Sequence, residues 1–386
     1  MAAVMLKFCV SAALAGGRRG YAVPTVSTKP SIDLTGRCRY LHLMKHHLFS
    51  ATSTGLNFVA IGGGNGLSTL LSGLKRFVNA EETEPVWIEN LAAVVAVTDD
   101  GGSSGRLRDE LQMLPPGDIR NCMVALSEDS QLLSRLFRHR FRGEGDLGGH
   151  IFGNLFLAAL TEITGDFAEA VKLSSEILAS KGHIYPATVA DVRLAAELND
   201  GTTVRGETRI SHVGHLIKRL YLEPSDCQPM PEALAAIDAA NVITIGPGSL
   251  FTSLLPPILV EGVADAIAAS SAVKIFVCNL MTQPGETDGL TARRHLEIVR
   301  EYAPQVDFDY VMVNNHPISE LQAEKYAGEG AEQIGVHGSV SPETIEGAEI
   351  VYGNLLDDGE MVRHDPDKLA QVLLLCALQP MERATA

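Results

Sequence analysis

Three times in this chain a short apolar run stops at a glycine-rich loop. Residues 57–61 lead into Gly62-Gly63-Gly64-Asn65-Gly66-Leu67-Ser68. Residues 91–97 lead into Thr98-Asp99-Asp100-Gly101-Gly102-Ser103-Ser104-Gly105-Arg106, and residues 241–245 into Gly246-Pro247-Gly248-Ser249. Short β-branched runs alternating with longer helical stretches call for a parallel sheet covered on both faces, and such sheets bind ligands beyond the strand C-terminal ends. Strands are expected at 57–61, 91–98, 241–245, 273–278, 309–313 and 349–352. Helices are expected at 66–78, 118–126, 131–140, 150–163, 166–180, 231–240, 290–301 and 366–378. The fold class is therefore α/β, a Rossmann-like doubly wound and mainly parallel sheet. A small antiparallel β insert is expected at about 184–223, where short alternating runs (187–192, 193–198, 202–210, 215–222) surround the hairpin signal Asn199-Asp200-Gly201.

Composition bounds the partners. The 386 residues are 46% hydrophobic, enough for a large core, and the net charge of −16 argues against nucleic acid. The charge is uneven. Residues 1–56 hold seven Lys/Arg and the single acid Asp33, which leaves the remainder at −22. That basic, serine-containing segment reads as a disordered or targeting extension, ahead of a single domain over 57–386. A cytoplasmic location is expected, or an organelle if the extension is a transit peptide. No apolar run reaches the roughly 18 residues a membrane span needs. The six cysteines are scattered without metal spacing, as suits a reducing compartment.

Each loop offers specific groups. The first is no dinucleotide fingerprint, because Leu67 stands where the third glycine belongs, and no P-loop, because no Gly-Lys-Ser/Thr follows. It leaves a glycine turn opening a helix, with amides at Gly63, Gly64 and Asn65 and the hydroxyl of Ser68 available to phosphate. In the second loop Asp99 and Asp100 repel each other unless a cation, a hydroxyl or an arginine intervenes. They are the best acid/base candidates and the candidate metal ligands, with Gly102, Ser103 and Ser104 beside them. In Gly117-Asp118-Ile119-Arg120-Asn121, Asp118 has the character of a helix cap, and Arg120 and Asn121 could face an anion. His150 and Asn154 are four apart and share a helix face. Gly248 and Ser249 follow a strand, as do Asn279, Thr282 and Gln283, whose neutral side chains suit a base or a sugar. No Ser/His/Asp triad is legible and no general base stands out.

Together these segments, with Asn279-Leu280-Met281-Thr282-Gln283, resemble the signature of the bacterial gluconeogenesis factors (YvcK type). Those proteins are homologues of 2-phospho-L-lactate transferase (CofD), a coenzyme F420 pathway enzyme. The resemblance runs in order from about residue 57 to residue 364. It implies a Rossmann-like cytoplasmic protein that binds a UDP-sugar, typically UDP-N-acetylglucosamine, and is needed for cell shape and wall homeostasis during gluconeogenic growth. Such proteins act as regulators with no established reaction. Residue by residue, it implies that Gly63, Gly64, Asn65 and Ser68 cradle phosphate. Asp99, Asp100, Ser103 and Ser104 would line the site, with a metal at the aspartates, and Asn154, Gly248, Ser249 and Asn279 would complete it. Asn65 stands where many relatives carry Thr, and both can donate a hydrogen bond. The transferase branch is the alternative: it moves a phospholactyl group from a nucleotide-activated donor to a deazaflavin, with Mg²⁺. Against it, aromatics are only 5% and no second basic cluster for an acidic acceptor is expected. A nicotinamide dehydrogenase fails on the glycine spacing. No cofactor is certain. A regulatory protein partner is expected, with homo-oligomerisation through the insert as a further option.

Overall fold

The structure is a computed structural model that describes residues 54–80, 86–128, 131–213, 217–335 and 344–385. Most of the N-terminal extension lies outside the described residues.

Among the described residues eleven strands form two sheets. They are β1 (Thr54–Gly62), β2 (Val86–Val95), β3 (His183–Pro186), β4 (Arg193–Leu198), β5 (Thr203–Arg205), β6 (Ile217–Glu223), β7 (Val242–Ile245), β8 (Val273–Val277), β9 (Tyr310–Asn314), β10 (Thr344–Ile345) and β11 (Ala348–Gly353). The large sheet runs β10-β11-β9-β8-β7-β1-β2-β3, and β5-β4-β6 form the small antiparallel one. All pairs in the large sheet are parallel except β10 with β11. Val242–Ile245 and Tyr310–Asn314 are buried along their whole length, as strands covered on both faces must be. From β1 the chain moves out through β2 and β3, then returns on the other side through β7, β8, β9 and β11. The order reverses between β1 and β7, and the crevice at such a switch point is where open α/β sheets bind ligands.

The first helices are α1 (Gly64–Leu74), α2 (Gly102–Leu111), α3 (Gly117–Leu126), α4 (Gln131–Phe137), α5 (Phe152–Thr164), α6 (Phe167–Ile177) and α7 (Glu207–Ile210). Then come α8 (Pro231–Asp238), α9 (Leu255–Leu259), α10 (Val263–Ala269), α11 (Ala292–Tyr302), α12 (Glu320–Gly328) and α13 (Pro366–Thr385). In α1, Leu67, Leu70, Leu71 and Leu74 are buried at helical spacing against the core. A Cβ on Gly73 would lie 1.9 Å from the Pro366 carbonyl oxygen, so glycine there lets α13 pack directly on α1. Among the described residues no single helix is long and apolar enough to cross a membrane.

The α/β architecture with its small antiparallel sheet is the one expected, but four local readings change. The expected loop after Asp99 is helix α2 from Gly102 onward. Its small residues serve close packing, because a Cβ on Gly105 would sit 2.1 Å from the Asp100 carbonyl oxygen. His183–Pro186 belongs to the large sheet, in parallel register with Ala92–Val95, and not to the insert. Residues 187–192 form no strand, and 202–210 divide into β5 and α7. The helix expected to reach 140 stops at Phe137, where the chain turns to pair with residues 149–152.

Candidate functional site

Around the end of β1 the sequence-selected residues separate into two groups, joined by the first glycine loop. A Cβ on Gly63 would lie 2.6 Å from Asp118 Oδ2, and one on Gly66 would lie 2.3 Å from the Pro247 carbonyl oxygen. The loop is thus pressed between α3 on one side and the 246–248 turn on the other.

The first group packs behind the β2 exit. Asp99 Oδ1 accepts from the Gly101 amide at 2.9 Å. Cβ atoms placed on Gly117 and Gly206 mark how closely the acids are walled in: the first would lie 2.6 Å from Asp99 Oδ2 and the second 2.2 Å from Asp100 Oδ2. Asp100 Oδ1 accepts from the amide and hydroxyl of Thr208 at 2.9 and 2.7 Å. Thr98 donates to Glu207 Oε2 at 3.2 Å. Burial raises the Asp118 carboxyl to about 7, helped by the Asp99 charge and opposed by the Gly64 amide and Arg120. Glu207 is pushed well up by burial and by the Asp118 and Asp99 charges.

Behind these acids is a buried polar network. Ser103 Oγ accepts from Asn154 Nδ2 at 3.1 Å and from the Ile151 amide at 3.3 Å. Its own hydrogen is left for His150 Nδ1 at 3.1 Å, which makes His150 a neutral acceptor. Burial lowers the His150 pKa, with Arg106 adding to the effect. Arg120 donates to Asn154 Oδ1 at 2.8 Å and to Asn121 Oδ1 at 2.6 Å, so the guanidinium braces α3 against α5 and does not stand open to an anion. Ser104 is buried, and Gly102 adopts φ +47° at the start of α2.

Asp99 has Gly101 and Gly117 as close neighbours, and Asp100 has Gly206 and Thr208. Among the described residues no three His, Cys, Asp or Glu side chains come together where a metal ion could be held.

The second group lines a cleft of about 500 Å³ at the switch point. Its floor is Asn65 and Gly66 from α1 with Gly248 and Ser249 from the β7 turn, and its walls include Asn279, Gln283, Tyr326, Arg363 and His364. Helix α1 has no side-chain cap and no acid in its first turn. Among the described residues the amides of Asn65 and Gly66 therefore stay available to an anion, with the helix dipole behind them. Asn279 clamps the turn: it accepts from the Gly248 amide at 3.1 Å and donates to the Gly248 carbonyl at 2.8 Å. Gln283 Nε2 donates to Ser249 Oγ at 2.8 Å, while its Oε1 is buried without a partner among the described residues. His364 is buried, its Nε2 is likewise unpartnered, and burial brings its pKa down to about 4. Glu286 Oε1 accepts from the Phe251 amide at 3.0 Å, and burial raises that carboxyl to about 7. Ser68 is not among the lining residues and donates to the Asn65 carbonyl at 3.0 Å.

Tyr326, Arg363 and His364 carry no strand-end or glycine signal. They reach the cleft because the chain returns over it, through α12 and the Leu356–His364 bridge. Another cavity, of about 410 Å³, lies along β6 and Tyr302 and shares no residue with the glycine loops.

The chain is thus a doubly wound α/β protein with an open helix start and polar side chains around a cleft at its switch point. The family model described as 2-phospho-L-lactate transferase CofD matches residues 58–356. The gluconeogenesis factor of Halalkalibacterium halodurans is 45% identical over 318 residues, covering 82% of this chain and 95% of that protein. The gluconeogenesis factor of Bacillus subtilis is 42% identical over 314 residues, covering 81% and 95%. A crystal structure of a UPF0052 family member from Bacillus halodurans superposes with a TM-score of 0.75 at 44% identity, over 83% of this chain and 99% of that one. The chain belongs to the CofD family and groups within it with the gluconeogenesis factors of the UPF0052 type.

Proposed function

We propose that this protein binds a nucleoside-diphosphate sugar of the UDP-N-acetylglucosamine type in the switch-point cleft. In this reading it acts as a regulator of cell shape and wall precursor supply during gluconeogenic growth. The observation that carries the reading is the pairing of charge and hydrogen-bond demand in one cleft. The Asn65 and Gly66 amides and the Arg363 guanidinium suit a diphosphate. The buried Gln283 Oε1 and His364 Nε2 call for a ligand that donates N–H or O–H groups. A uracil imide, sugar hydroxyls and an acetamido group supply such donors. A volume of about 500 Å³ is within the usual range for small-molecule sites.

The test is thermal shift with UDP-N-acetylglucosamine, UDP-glucose, GDP and NAD⁺, with and without Mg²⁺. At 100 times Kd the stabilisation should reach about 2.7 kcal/mol. Arg363→Ala should weaken UDP-sugar affinity by about tenfold or more and leave the ligand-free melting temperature close to wild type. A response only to a guanine nucleotide that requires Mg²⁺ would replace this reading with the transferase one. That alternative draws its support from Asp118, a carboxyl brought to about 7 beside the Gly63–Gly64 turn, where it could exchange a proton during group transfer.

A further inference from the structure

Residues 131–150 carry a surface unlike the rest of this acidic chain. Arg135, Arg138, Arg140 and Arg142 fall within eight residues that contain no acid, in a protein of net charge −16. All four are exposed. The expectation of no second basic cluster is overturned here, because whole-chain charge hides a local run. Arg140 donates to the Gly149 carbonyl at 2.7 Å, and among the described residues none of the four forms an ion pair.

Backbone hydrogen bonds tie residues 139–141 of this strip to residues 149–152. Phe141 N–H donates to the His150 carbonyl at 2.9 Å, Gly149 N–H to Phe141 at 3.0 Å, and Phe152 N–H to His139 at 2.9 Å. Phe137 packs edge-on against Phe152 and Phe156, with ring centroids 5.7 and 5.0 Å apart. Beside the arginines, Leu132 and Leu136 sit one helical turn apart and are 75% and 41% exposed, and Leu147 is 56% exposed.

Like charges displayed together repel, and exposed leucines gain nothing from water, so both features call for a cover. Arginine beside apolar anchors is the composition of protein interfaces. We infer that this surface binds an acidic, leucine-bearing segment of a protein partner. A bilayer fits less well, because Glu144 and Asp146 stand in the same turn as Leu147 and would be pressed against anionic headgroups. Nucleic acid would leave the leucines uncovered and would meet an acidic body. The inference does not depend on which nucleotide fills the cleft.

The test uses the full chain and a fluorescein-labelled peptide of repeating Glu and Leu, read by fluorescence anisotropy at low and high salt. Wild type should bind, with affinity falling about tenfold or more between 50 and 300 mM NaCl. Arg135→Glu/Arg138→Glu/Arg142→Glu should lose about tenfold or more at low salt and keep the wild-type melting temperature and UDP-sugar response. If that variant does not fold, Leu132→Ser/Leu136→Ser should weaken the peptide instead. No peptide binding at 50 mM NaCl, or equal binding by the folded variants, would overturn the proposal. So would tighter binding to phosphatidylserine vesicles or to a DNA duplex than to the peptide.

Discussion

Gly63 and Asp118 meet so closely that a methyl group on Gly63 would stand 2.6 Å from Asp118 Oδ2. The Gly64 amide faces that same carboxyl and works against the rise in its pKa. The glycine turn at the end of β1 and the acid at the start of α3 are therefore one mechanical unit, although 55 positions separate them in the chain.

Gly63→Ala should force that contact apart. Overpacking of this kind costs about 1–3 kcal/mol, and the displaced turn should also lose ligand. Removing the carboxylate with Asp118→Gly should restore part of the stability of the alanine variant. Denaturant melts of the two single variants and the double variant check this, and strict additivity would show that the two positions do not press on each other.

The stabilising contribution of Asp118 and Glu286 should fall as pH rises from about 4 to about 7, opposed by His364, whose lowered value adds stability over the lower part of that range. Asp118 and Glu286 both have folded values near 7, above ordinary values of 3.8 and 4.5. A carboxyl raised by folding holds its proton more tightly in the folded state. Its stabilising contribution is complete below the unfolded value and is lost as pH passes the folded one. Asp118→Asn and Glu286→Gln should each flatten the profile in that window, and melting curves at pH 5 and pH 8 measure it.

Asn279→Asp should separate the two arms of the clamp on Gly248. Aspartate can still accept from the Gly248 amide but can no longer donate to its carbonyl. The loss should be about 1–3 kcal/mol, with ligand affinity falling alongside, because Gly248 forms part of the cleft floor. Unchanged stability and affinity in that variant would show that the turn holds itself.

Asp100→Ala should free the insert from the core. Its Oδ1 takes both the amide and the hydroxyl of Thr208, and losing the pair should cost about 1–3 kcal/mol. Limited proteolysis should then cut within 199–213 faster than in wild type. Cleavage at the same rate would mean that the insert is held by its apolar contacts through Leu194, Leu220 and Leu222.

Much of the fold was legible because buried parallel strands are continuous apolar runs, and those of β1 and β7 end in glycine. The runs at 57–61, 241–245, 273–278 and 309–313 correspond to β1, β7, β8 and β9. Helix α2 was missed because Gly102-Ser103-Ser104-Gly105 has loop composition, yet those small side chains are what let a helix lie on the Asp100 backbone. Strand β3 was taken into the insert because only four residues carry it.

What the sequence alone determined is local and periodic: a glycine-ended alternation of strands and helices, a doubly wound sheet, and the residues of its strand-end loops. It could not say which loops share a space. Tertiary structure decided that Asn65, Gly248, Ser249 and Asn279 line one cleft with Arg363 and His364. It also decided that Asp99, Ser103, Arg120, His150 and Asn154 belong to a tightly bonded set behind it. The physical reason is that strand order, which no local pattern encodes, places the ends of β1 and β7 side by side. Whether a polar side chain is free for a ligand then depends on partners that only the folded chain supplies.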